Sequence, residues 1–132
     1  MGDGKVVFAS RAWVDAARVI LEALVAENGE PGRRFSLCER FRDVPRDVAP
    51  LGAAAWHFRI DGKSVVVGSG EIGNADVTIT ADYDAILPGA RRVYGPEDLA
   101  RRGEPIGVTQ GDLSKAPAYL IELHNRLALI TA

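Results

Sequence analysis

Three groups of residues have types and spacings that could do chemistry. Gly68-Ser-Gly70-Glu-Ile-Gly73 repeats, letter for letter, the glycine pattern that cradles a dinucleotide pyrophosphate. That chemistry needs a helix N-terminus directly after the third glycine, where the phosphate rests. Here the alternating run Ala75-Asp-Val-Thr-Ile-Thr80 follows, so the motif reads as a glycine-rich link between strands, with no bound nucleotide. Cys38, His57 and His124 could form a nucleophile with its bases. Cys38 lies inside a strand, however, without the helix N-terminus that activates a thiol. His57 falls on the polar side of a hairpin, and His124 on a helix beside Leu123. Asp76, Asp82 and Asp84 cluster in sequence, but Asp82 reads as a helix cap, and the other two lack a basic or metal partner. No catalytic set emerges.

Arginine pairs recur at Arg33-Arg34, Arg91-Arg92 and Arg101-Arg102. Residues 89–103 carry four of these arginines against Glu97 and Asp98. A patch of that kind is usually a solvated face, though it could touch anionic headgroups transiently or an acidic partner.

Composition narrows the classes further. The 132 residues suit a single domain, 1–132, and 47% apolar residues are enough for a core. Sixteen basic against eighteen acidic residues, net charge −2, argue against a dedicated nucleic-acid binder. The single cysteine excludes an intramolecular disulfide and any cysteine-cluster metal site, and two histidines exclude a three-histidine site. No metal and no cofactor is expected. The N-terminus lacks a secretory pattern, and no apolar run approaches the roughly 18 residues of a membrane span, so the expected location is cytoplasmic.

Elements follow from periodicity and punctuation. Ser10 is a plausible N-cap for a helix over 11–27, with Trp13, Ala17, Ile20, Leu21 and Leu24 at helical spacing and glycines at 29 and 32 ending it. Phe35, Leu37 and Phe41 alternate with polar residues as in a half-buried strand, and 42–53 reads as a loop. Trp56, Phe58 and Ile60 alternate with His57 and Arg59 up to Asp61-Gly62, a type I′ turn signal, before Ser64-Val-Val-Val67. With Asp61 and Gly62 as the loop, Ile60 opposes Lys63, Phe58 opposes Val65 and Trp56 opposes Val67. Trp56, Phe58, Val65 and Val67 then share a core or pocket face, with His57 and Val66 on the other.

A third strand over 75–80 turns Val77 and Ile79 inward. Asp82 caps a short helix reaching Leu87 and ended by Pro88-Gly89. Another short helix runs from Pro96 to Gly103, and Ile106 and Val108 mark a last strand. Asp112 or Ser114 caps a final helix through Leu120, Leu123, Leu127 and Ile130, with Pro117 in its first turn. The order gives an α+β domain with helices on one face of a mainly antiparallel sheet.

In order along the chain, Trp56-His-Phe58-Arg-Ile60-Asp-Gly62, Val65-Val-Val67 with its glycines, Ala75-Asp-Val-Thr-Ile-Thr80 and Gly107-Val-Thr-Gln-Gly-Asp112 before a closing helix resemble the sterol carrier protein type-2 family. The resemblance covers roughly residues 54–130 and includes no catalytic motif. It implies a five-stranded sheet covered on one side by helices, with an apolar tunnel between sheet and closing helix. It also implies non-covalent binding or carriage of a lipid of the sterol, fatty-acid or acyl-CoA class. Residues 88–105, with four arginines and Tyr94, depart from the brief linker expected there, and Ile130-Thr-Ala lacks a peroxisomal address. The expected ligand-binding residues are Trp56, Phe58, Val65, Val67, Val77, Ile79, Leu87, Leu120, Leu123 and Leu127. An enzyme using the same pocket for isomerisation or cyclisation, with His57, Asp76 or His124 carrying protons, is the alternative. A domain whose pocket is filled by its own side chains is a third. A titratable side chain facing the cavity is what separates them.

Overall fold

The structure, a computed structural model, describes residues 5–94 and 108–132. Helix α1 spans Arg11–Asn28, and the Ser10 hydroxyl accepts from the Trp13 amide at 3.2 Å, as its N-cap role requires. Its buried stripe is Trp13, Val14, Ala17, Leu21, Leu24 and Val25. Strands β1 (Arg34–Arg42), β2 (Ala53–Asp61), β3 (Ser64–Ser69), β4 (Val77–Asp82) and β5 (Val108–Gly111) form one sheet in the order β3-β2-β1-β4-β5. Only the β1–β4 pair is parallel. Helix α2 covers Tyr83–Ala90 and helix α3 covers Leu120–Ile130. The α+β class and the mainly antiparallel five-stranded sheet are as expected. The expected helix at 96–103 and Ile106 lie outside the described residues.

Three local expectations are corrected. The hairpin loop is Gly62-Lys63, not Asp61-Gly62, so Ile60 faces Val65 and Phe58 faces Val67. Gly62 has φ 60°, the position glycine takes in a type II′ turn, while Asp61 stays in the ladder. The register therefore slides by two residues on β3. An even slide preserves the faces, and Trp56, Phe58 and Val67 remain buried.

Helix α2 runs through Pro88 to Ala90 instead of stopping there. A proline near the end of a short helix forfeits one backbone bond but keeps a helical φ. Its cap residue, Asp82, makes no side-chain capping bond and instead pairs with Arg42 at 3.3 Å. Asp112 caps only a 3-10 turn over Leu113–Lys115, with its carboxylate accepting from Ser114. Ala116, before Pro117, is extended (ψ 135°), because the ring of a following proline disfavours the helical region. The closing helix starts only at Leu120.

Helix α1 packs over β3 and touches α3, and α2 packs on β4 and α3. The end of α1 rests directly on the hairpin turn. A Cβ at Gly29 would lie 2.2 Å from the Gly62 carbonyl oxygen, so no larger residue fits without movement. The N-terminal segment closes the other side. Val6 pairs with Thr131, donating its amide to Ile130 at 2.7 Å and accepting from Ala132 at 2.7 Å. The Tyr83 hydroxyl donates to the Phe8 carbonyl at 2.9 Å, which fixes Phe8 in an aromatic cluster with Trp13, Phe41 and Tyr83.

Candidate functional site

Period-two alternation puts Phe35, Leu37, Glu39 and Phe41 on the helix-covered face of β1. Across the neighbouring strands Glu39 stands opposite Trp56 and beside Ile79, and Leu37 stands opposite Phe58 and beside Val77. Leu37, Glu39, Trp56, Phe58 and Ile79 floor a groove of about 200 Å³ whose roof is Leu113, Ala116, Leu120, Leu123, His124 and Leu127. Phe8, Trp13, Ile86 and Ala90 close its sides. The volume is below the roughly 300–1,000 Å³ of pockets for drug-sized ligands.

A second cleft, about 250 Å³, lies along the same sheet face beside Phe35 and Ile60, under Pro117, Ala118 and Tyr119. Asn28, Glu30 and Arg33 make it polar. The segment 113–120 overlies both cavities.

Of the expected binding residues, Trp56, Phe58, Ile79, Leu120, Leu123 and Leu127 line the groove. Val65, Val67, Val77 and Leu87 do not. Val65 and Val67 belong to β3, over which α1 packs, and that contact uses their surface as ordinary core. Val77 is fully buried, and Leu87 is half-buried against the same core.

Glu39 is the unexpected member. Its Oε1 accepts from the Trp56 indole Nε1 at 2.8 Å, while Oε2 has no hydrogen-bond partner among the described residues and is not sealed from the groove. The side chain is half-buried because the groove opens onto it, yet protein surrounds it closely. Burial pushes its pKa up to about 7, and the indole N–H holds it back in part. The signal was present in the strand: a carboxylate at a period-two position of an otherwise apolar face. Phe8, before α1, and Trp13, in its first turn, also line the groove, and only tertiary contacts bring them there.

The three candidate proton carriers separate. His124 lines the groove, donates Nε2–H to the Arg92 carbonyl at 2.8 Å and stacks on Tyr94 at 4.0 Å. His57 is on the opposite face, bonded through Nδ1 to the Gly70 carbonyl at 2.8 Å. It stands opposite Cys38 in the ladder without a hydrogen bond to the buried thiol. Asp76 clasps Ser36, accepting from its amide at 2.8 Å and its hydroxyl at 3.1 Å, so it ties the start of β4 to β1. The glycine motif at 68–73 leads into β4 and not into a helix, as its context required. Arg91 donates to the Ala132 carbonyl at 2.8 Å. Arg101 and Arg102 are outside the described residues. Among the described residues, no helix is long and apolar enough to cross a membrane.

No family model matches the sequence, nor does any curated protein. Solved structures do match. A crystal structure of sterol carrier protein 2 superposes with a TM-score of 0.62 at 17% identity, covering 94% of this chain and 99% of that one. The solution structure of a conserved hypothetical protein from Thermus thermophilus, described as possibly a sterol carrier protein, matches with a TM-score of 0.50 at 16% identity. It covers 96% of both chains. At such identities the likeness speaks to architecture alone: this chain has the sterol carrier protein 2 fold.

Proposed function

We propose that the protein binds and carries a lipid or similar apolar small molecule in the groove between the sheet and helix α3. The observation that carries this reading is the groove itself: an apolar space roofed by Leu120, Leu123 and Leu127 and floored by Leu37, Phe58 and Ile79. The fold shared with sterol carrier protein 2 supports the same reading. Removing apolar ligand surface from water supplies the affinity, at roughly 25 cal/mol per Å² buried. A charge placed in the roof opposes it, because an unpaired carboxylate is costly to desolvate.

The test is displacement or enhancement of an uncharged fluorescent hydrocarbon probe, such as pyrene, on delipidated protein. Leu120→Asp and Leu123→Asp should each lower probe affinity about tenfold or more, with circular dichroism confirming the fold. Leu120 is half-buried and tolerates the change better than buried Leu123. Wild-type protein that binds no uncharged apolar probe refutes the reading.

A further inference from the structure

An apolar groove that needed only to hold hydrocarbon would gain nothing from a carboxyl group in its floor. Glu39 is there nonetheless, between Trp56 and Ile79, with one oxygen clamped by the indole N–H and the other open to the cavity. No lysine or arginine lines the groove, so no cation of this chain faces Glu39 across it among the described residues. Among the described residues, the one other titratable group in the lining is His124 on α3, whose Nε2–H is held by the Arg92 carbonyl. The residues contributed by β2, β4, α1 and α2 carry no charge.

We propose that Glu39 recognises the polar end of the apolar ligand, its Oε2 accepting a hydrogen bond from a hydroxyl or ammonium group, and that the groove consequently rejects ligands ending in a carboxylate. This rests on the groove being an apolar-ligand site. The Trp56 clamp fixes the carboxyl so that Oε2 faces the ligand without further loss of rotamer freedom. With Glu39 ionised, as at pH 8, a carboxylate headgroup would meet a like charge and find no donor on Glu39. A hydroxyl donates to Glu39 whether or not the carboxyl is protonated, since a neutral carboxyl retains a carbonyl acceptor. An ammonium group adds charge pairing once Glu39 is ionised. The elevated pKa of Glu39 agrees with a site awaiting such a donor.

The experiment is titration calorimetry of delipidated protein at pH 8 with decan-1-ol, decylamine, methyl decanoate and decanoate. They share one chain and differ only at the head. The alcohol and the amine should bind about tenfold or more tighter than decanoate, the range expected of a hydrogen bond to a charged group. The methyl ester, neutral and accepting only, should fall between. In Glu39→Gln, whose amide oxygen stays with the Trp56 indole and whose NH2 faces the cavity, decanoate should gain about tenfold and the amine lose as much, while the alcohol changes little because its hydroxyl oxygen accepts from the amide. Equal binding of all four heads, or preferences that survive Glu39→Gln, overturns the headgroup role and leaves the groove as a hydrocarbon site. If none of the four binds, and neither does pyrene, the apolar-ligand reading falls and this inference with it.

Discussion

Replacing Glu39 with glutamine isolates the cost of charging one carboxyl from everything else that titrates. Burial raises the Glu39 pKa from 4.5 to about 7, with the Trp56 indole opposing part of the rise. Between those two values the native state holds a proton that the unfolded chain has lost. Stability therefore falls as pH rises through the interval. The protonated carboxyl's contribution is complete below pH 4.5 and gone above about pH 7. A separation of about 2.5 in pKa, at about 1.4 kcal/mol each, amounts to on the order of 3 kcal/mol. That figure is an upper bound, because the groove admits water to Oε2. Glutamine keeps the shape and still accepts from Trp56 but cannot ionise. Urea unfolding of both proteins from about pH 4.5 to 8 gives the difference in ΔG, in which all other titrations cancel. Glu39→Gln should gain on the wild type by up to about 3 kcal/mol over that range, a Tm difference on the order of 10 °C. A difference flat to within about 0.5 kcal/mol across the range, smaller than the effect of a typical neutral hydrogen bond, would mean that Glu39 is charged and well solvated in the native state. The account of its surroundings would then be wrong.

Two further outcomes follow from packing. Gly29→Ala should cost about 1–3 kcal/mol in urea unfolding, because its Cβ would meet the Gly62 carbonyl at 2.2 Å and neither backbone can yield cheaply. Gly73→Ala, with nothing within 4 Å, should be neutral or slightly stabilising, and equal costs at the two positions would refute the steric argument. Trp56→Ala should cost about 3–5 kcal/mol, since Trp56 is 3% exposed and packs edge-on to Trp13 at 5.2 Å. A loss below about 1 kcal/mol would show that Trp56 borders open space and not packed core.

Sequence periodicity alone determined which face β2 buries and where α1 lies. Ser10 starts the helix by a local side-chain bond, and Trp56, Phe58 and Val67 share a face because side chains alternate along a strand whatever the register. It also disposed of the glycine motif, since a strand follows it where a nucleotide site needs a helix. Tertiary structure decided the rest. The turn moved one position along the chain because the sign of φ at Gly62, and not the Asp-Gly pair, fixes the loop. Val65 and Val67 became core because α1 lies over β3, a long-range choice that no local spacing encodes. The parallel pairing of β1 with β4 placed Ile79 beside Glu39, and the pairing of Val6 with Thr131 brought Phe8 to the same groove. The alternation of β1 already turned Glu39 inward. Only the way α3 and the segment before it span the sheet leaves a cavity above that carboxyl, because whether an inward face is filled or hollow depends on the volumes packed against it.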